Sequence, residues 1–139
     1  MLSLAAECPR IALIDDDTLT IKMLEMLLSH AGYQTLCCYS GAEGVELVKK
    51  EQPDLVILDM QMEQRDTGLI AVQALRLDPN TEIVPVIVCS ADGLFLREKE
   101  QQLRAHNCEI LEKPFILDDL LSIISAMIGN PQSQARHPL

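Results

Sequence analysis

Pro53-Asp54-Leu55-Val56-Ile57-Leu58-Asp59 reads as a strand buried on both faces. The four apolar residues 55–58 are too few for a helix and too uniformly apolar for a strand with one wet side. Parallel strands covered by helices above and below have this composition. Proline and aspartate punctuate its entry, and an acid stands at its exit. Two other runs share the pattern. Arg10-Ile11-Ala12-Leu13-Ile14 leads into Asp15-Asp16-Asp17, and Val84-Pro85-Val86-Ile87-Val88-Cys89 leads into Ser90. Residues 34–39 and 109–112 read as two more strands. Both carry polar residues (Gln34 and Thr35; Glu109 and Glu112), as sheet edges do.

Helical segments fill the intervals. Residues 18–31 place Leu19, Met23, Met26 and Leu27 at near-helical spacing, and Gly32 follows where a helix end favours a left-handed residue. Asp17 reads as the start of this helix, where the dipole favours an acid. Ser40-Gly41-Ala42-Glu43 has the spacing of a capping box, so a second helix runs to about Lys50. A loop over 59–67 precedes a third helix ending near Asp78-Pro79. A fourth spans 94–105 and a fifth 117–128, stopped by Gly129-Asn130-Pro131. Five strands alternating with five helices predict an α/β fold, a five-stranded parallel sheet with helices on both faces. Placing the apolar strands centrally gives the order 2-1-3-4-5, the doubly wound, flavodoxin-like three-layer sandwich. Its ligands bind at the carboxyl ends of the strands, near the switch between strands one and three. Residues 10–128 are then one domain, with an N-terminal extension over 1–9 and a flexible C-terminal tail over 129–139.

The composition limits what this domain can do. The 139 residues are 48% apolar and 23% charged, enough for one core, and the net charge is −10. Such an acidic surface argues against direct contact with nucleic acid or anionic lipid, both polyanions. No apolar run approaches the ~20 residues of a membrane span. The first ten residues lack the early positive charge of a signal peptide, and Glu7 interrupts their apolar segment. Five cysteines without a Cys-x-x-Cys pair read as small apolar residues in a reducing cytoplasm.

Listing the residues that leave the central strands exposes the chemistry. Asp15, Asp16 and Asp17 follow the first strand, Asp59 the third, Ser90 the fourth, and Lys113-Pro114 the fifth. Carboxylates, a hydroxyl and an ammonium therefore meet at one edge of the sheet. Clustered carboxylates without His or Cys suit a hard cation such as Mg²⁺, which leans on substrate phosphate. Metal, ammonium and hydroxyl together would neutralise the oxygens of a transferring phosphoryl group. A carboxylate can itself be the nucleophile, and Asp59, at the sheet centre, is the best placed.

Four motifs in order, Leu13-Ile14-Asp15-Asp16, residues 53–62 around Asp59, residues 86–91 ending in Ser90-Ala91, and Glu112-Lys113-Pro114-Phe115, resemble the response-regulator receiver domain, the CheY-like module of two-component signalling. The resemblance covers about residues 10–128. It implies that Asp59 is the phosphoryl acceptor and that Asp15, Asp16, Asp59 and the backbone carbonyl of Gln61 hold Mg²⁺. It implies that Ser90 is the switch hydroxyl and that Lys113 pairs with the phosphoryl group or Asp59. It also implies a sensor histidine kinase or histidine phosphotransfer protein as donor, and a downstream target protein or a fused output domain as receiver of the signal. The chain would then be a cytoplasmic signalling switch with only intrinsic autophosphorylation and autodephosphorylation chemistry, not an enzyme in its own right.

Three positions depart from the family pattern. Glu63 replaces the usual proline, Gly68 comes one residue late, and Ile110 stands where the family carries its aromatic switch residue. Hydroxyl–aromatic coupling in its usual form is therefore excluded, and a graded response is expected. The rival reading is a pseudo-receiver, no longer phosphorylated, that serves as a protein-interaction module. An aspartyl-phosphate hydrolase would want an acid where Gln61 stands, and a nucleotide-binding module would want glycines where Asp15-Asp16-Asp17 stand. The output surface is expected on helix four, strand five and helix five. There Leu117, Leu120, Leu121, Ile123, Ile124, Met127 and Ile128 form a stripe wide enough to favour a homodimer or a target protein.

Overall fold

The computed structural model describes residues 8–129. The extension and tail read from the sequence therefore lie outside the described residues, apart from Cys8, Pro9 and Gly129. Five strands, β1 (Arg10–Ile14), β2 (Gln34–Cys38), β3 (Leu55–Asp59), β4 (Val86–Ser90) and β5 (Cys108–Glu112), form one parallel sheet in the order β2-β1-β3-β4-β5. Six helices connect and cover them: α1 (Thr18–His30), α2 (Gly41–Glu51), α3 (Thr67–Leu77), α4 (Gly93–Glu98), α5 (Glu100–Ala105) and α6 (Leu117–Ile128). This is the predicted doubly wound order, with the apolar strands central.

The twofold alternation of strand side chains sends the core to two sides. Ile11, Leu13, Leu55, Ile57, Ile87 and Cys89 pack with α1 and α6. Ala12, Ile14, Val56, Leu58, Val86 and Val88 pack with α2, α3, α4 and α5. The edges are wetter, as their sequences imply: β2 is buried only at Cys38 and β5 only at Cys108.

Three local readings need correction. The fourth helix is two, α4 and α5, separated at Lys99. The Lys99 N–H is shared between the carbonyls of Phe95 (3.1 Å) and Leu96 (3.2 Å), a tightening that closes one turn before the next begins. The bend lets Phe95 and Leu96 on one segment and Leu103 on the other all reach the core. Strand β4 begins after Pro85, which has no N–H to give the ladder although its carbonyl accepts from Val56 N–H (2.9 Å). In α1 the buried face is Ile21, Leu24 and Leu28, whereas Leu19, Met23 and Met26 are more than half exposed. This helix carries two apolar stripes, and contact with the sheet selects the other one.

The start and stop signals hold. Asp17 caps α1, accepting from Leu19 N–H at 3.1 Å, and Ser40 caps α2, accepting from Glu43 N–H at 3.2 Å. Gly32, beyond the end of α1, adopts φ 100°, where a side chain would be strained. All five cysteines are free; Cys38, Cys89 and Cys108 are buried, while Cys8 and Cys37 are only partly so.

Candidate functional site at the carboxyl edge of the sheet

Strand register gathers the site. Ile14 pairs with Leu58 and Asp59 with Cys89, so Asp15 leaves β1 beside the end of β3. Ser90 pairs with Glu112, and the Lys113 N–H continues that ladder to the Ser90 carbonyl (2.8 Å). Asp15 N–H likewise reaches Cys38 O (3.1 Å), and Met60 N–H reaches Cys89 O (2.7 Å). The functional side chains thus spring from backbone that the sheet itself holds.

One ammonium serves two carboxylates. Lys113 Nζ donates to Asp15 Oδ2 (3.0 Å) and to Asp59 Oδ1 (3.2 Å). Asp15 is buried, and its other oxygen accepts from Asp17 N–H (2.9 Å). Asp16 is exposed. One oxygen from each of Asp15, Asp16 and Asp59 lies within 4.8 Å of the others. Three carboxylates against one ammonium leave an excess of negative charge, and an all-oxygen donor set fits a hard divalent cation.

The electrostatics bear this imbalance. Burial pushes the Asp59 carboxyl up to about 6; Lys113 opposes that shift, and the Asp15 and Asp16 charges add to it. Burial works against the charge on Lys113, but its hydrogen bonds and attraction to Asp15 and Asp59 hold its pKa above the ordinary lysine value.

Ser90 is fully buried, and its hydroxyl accepts from Asp92 N–H (3.0 Å). Ile110 is half-buried against the α2–α5 side of the core, with no polar group to offer. Asp17 is turned away into its capping role, its other oxygen accepting from the Thr20 hydroxyl (2.7 Å).

The loop after Asp59 explains two departures noted in the sequence. The Glu63 carboxylate accepts from Gly41 N–H at 3.2–3.3 Å and so tethers the loop to the start of α2. Gly68 lies so close to the strand exit that a Cβ there would sit 2.6 Å from Met60 Cα and 2.7 Å from Asp59 O. Its N–H donates to Met60 O (2.7 Å), so only glycine lets α3 begin against the loop that leaves Asp59. Sequence reasoning missed Asp92 and Arg65. Asp92 caps α4 through Phe95 N–H (3.0 Å) and pairs with Arg65 at 3.5 Å. Asp92-Gly93-Leu94-Phe95 does hold a helix-start signal, but nothing in the sequence announces its partner across the loop.

The sequence profile described as the response regulator receiver domain matches residues 11–125. Among curated proteins, the chain is 32% identical over 120 residues to the DNA-binding dual master transcriptional regulator RpaA of Synechocystis sp. The match covers 86% of this chain but only 49% of RpaA, so the chain spans about half the length of that relative. It is 26% identical over 121 residues to the polar-differentiation response regulator DivK of Brucella ovis, covering 86% of this chain and 96% of DivK. Among solved structures, a putative response regulator from Chloroflexus aurantiacus superposes with TM-score 0.77 at 26% identity, covering 87% of this chain and 98% of the other. The receiver domain of the Pseudomonas aeruginosa sensor histidine kinase PA1611, solved with magnesium in its active-site cleft, superposes with TM-score 0.77 at 23% identity, covering 88% and 99%. That last likeness is one of fold. Profile, relatives and sheet order agree over most of the chain, and on that ground it belongs to the response regulator receiver domain family of two-component systems.

Proposed function

We propose that this chain accepts a phosphoryl group on Asp59 from the phosphohistidine of a sensor histidine kinase or histidine phosphotransfer protein. The observation that carries the reading is the double contact of Lys113 with Asp15 and Asp59, beside the exposed Asp16. In the transfer a P–O bond forms to Asp59 as the donor P–N bond breaks, and the imidazole nitrogen keeps the bonding pair. Lys113 holds Oδ1, leaving Oδ2 to attack, and its charge is already in place for the phosphoryl oxygens. Asp15 anchors Lys113 from the buried side. The Ser90 hydroxyl, now facing Asp92 N–H, is the donor that turns to a phosphoryl oxygen. Mg²⁺, held by Asp15, Asp16, Asp59 and the Gln61 carbonyl, would supply the remaining charge neutralisation. Water attacking phosphorus at the same site would return the free carboxylate, so the chain works as a switch with intrinsic chemistry only.

A protein donor needs a landing surface next to the acceptor. The exposed apolar residues Leu19, Met23 and Met26 begin four residues after Asp15, on the helix that starts at the site. For output we favour the face of α4, α5, β5 and α6. Only Leu120 and Ile124 of the α6 stripe are buried, while Leu117, Leu121, Ile123, Met127 and Ile128 are partly open to a homodimer, a target protein or a fused output domain. No helix among the described residues is long and apolar enough to cross a membrane.

Phosphate-affinity electrophoresis after incubation with acetyl phosphate and Mg²⁺ tests the proposal. Wild type should shift, EDTA should abolish the shift, and Asp59→Asn should not shift because an amide is not the required anionic nucleophile. A shift in Asp59→Asn equal to wild type would remove Asp59 from its role. An unshifted wild type would favour the interaction-module alternative.

A further inference from the structure

The loop that follows Asp59 is tied to α4 by one side chain. The Arg65 guanidinium carbon lies 4.1 Å from the centroid of the Phe95 ring, and Nη2 is 3.5 Å from Asp92 Oδ2. Arg65 is largely exposed, but both its partners are fixed. Phe95 is 7% exposed and is the only aromatic residue in the core cluster on its side of the sheet. Asp92 is held through its carboxylate, which accepts from Phe95 N–H, and through its own N–H, which donates to Ser90 Oγ. A chain of contacts therefore runs from Ser90 through Asp92 to Arg65 and back to the loop that leaves Asp59. On the β5 side of α4, Ile110 offers only aliphatic packing.

We infer that Arg65 is a latch: laid on Phe95 and paired with Asp92, it holds α4 to the acceptor loop, and events at Asp59 reach α4 by loosening it. The inference rests on the proposed function for its trigger. When the Ser90 hydroxyl turns to a phosphoryl oxygen, Asp92 N–H loses its acceptor, and the carboxylate that Arg65 grips loses one of its restraints. An ion pair and a cation–π contact at an exposed edge are each weak, so opening is graded.

Amide hydrogen exchange of residues 93–98 in the full chain tests it, with wild type, Arg65→Ala, Arg65→Lys and Phe95→Leu each measured with EDTA and with Mg²⁺ plus beryllofluoride. In EDTA, Arg65→Ala and Phe95→Leu should each exchange about two- to fivefold faster than wild type over 93–98, the size of effect a weak cation–π contact gives. Arg65→Lys should recover part of the protection. Beryllofluoride should speed this segment in wild type and change it little in Arg65→Ala, while raising the melting temperature of both. Unaltered exchange of Arg65→Ala in EDTA would overturn the latch. An equal beryllofluoride response in wild type and Arg65→Ala would overturn its role in transmission. If beryllofluoride leaves the wild-type melting temperature unmoved, the reading of Asp59 as acceptor fails instead, and the EDTA comparison still decides whether Arg65 restrains α4.

Discussion

The two ends of the sheet are built on opposite principles. At the amino end, cations meet enough acceptors. Arg10 gives its N–H to Asp54 (2.8 Å) and its guanidinium to the Glu51 carboxylate (3.3 Å), the Glu51 carbonyl and the Gln52 carbonyl. Arg76 donates to the carbonyls of His106 and Val84 at 2.7 Å and Glu82 at 3.1 Å, with longer contacts to Thr81 and Asn107. The hydroxyl of buried Thr81 reaches Leu75 O at 2.7 Å. At the carboxyl end, three carboxylates cluster by one ammonium that bonds only two of them, and burial raises the pKa of the most central to about 6. One end closes helices and loops onto strands. The other keeps an electrostatic debt that only a cation, a proton or a substitution relieves. The difference separates residues that hold the fold from residues proposed to carry the phosphoryl chemistry, although both sets are charged and lie at strand ends.

Breaking the balanced end should have the largest effect. Arg76→Ala leaves several backbone carbonyls without their donor and should cost about 2–4 kcal/mol. Urea unfolding measures this, and phosphoryl incorporation under native conditions should survive. Asp59→Asn should act in the opposite direction, stabilising the metal-free protein by on the order of 1–2 kcal/mol once solvent screening is allowed for. The pH dependence has a definite sign. A folded pKa near 6 against an ordinary 3.8 makes the Asp59 charge destabilising above about pH 6. That penalty shrinks as pH falls through 6 toward 4. The wild-type deficit relative to Asp59→Asn should therefore narrow between about pH 8 and pH 5, as paired thermal melts in EDTA will show. Asp16→Asn should stabilise less than Asp59→Asn, because Asp16 is solvated. Its clearer effect should be a weaker gain in melting temperature on titration with Mg²⁺. The smallest change expected is Asp17→Ala, a lost helix cap costing about 1 kcal/mol with the Mg²⁺ response retained.

What the sequence disclosed follows the same division. The central strands were legible because a buried parallel strand has nowhere to put a polar residue, so residues 55–58 and 86–89 are apolar without interruption. Convergence of Asp15, Asp59, Ser90 and Lys113 followed from strand order alone, since each directly follows a strand or ends one. Where two solutions satisfied one pattern, the reading failed. Helix α1 has apolar stripes on two faces, and only packing on the sheet selects Ile21, Leu24 and Leu28. The break at Lys99 depends on how two short segments share one core. Contacts made by long side chains across loops left no periodic trace. Arg76 looks like any helical arginine, and Arg65 like any loop arginine, until the backbone places carbonyls round one and a phenyl ring under the other.

The most direct test of the acidic edge as one metal and phosphoryl site is a pair of melting curves, wild type and Asp59→Asn, each in EDTA and in millimolar Mg²⁺ near neutral pH. Asp59→Asn should melt higher than wild type in EDTA, and Mg²⁺ should raise wild type substantially while moving the variant little. If the variant melts lower than wild type in EDTA, or if both gain equally from Mg²⁺, then Asp15, Asp16 and Asp59 do not act as one cation site and the central assignment is wrong.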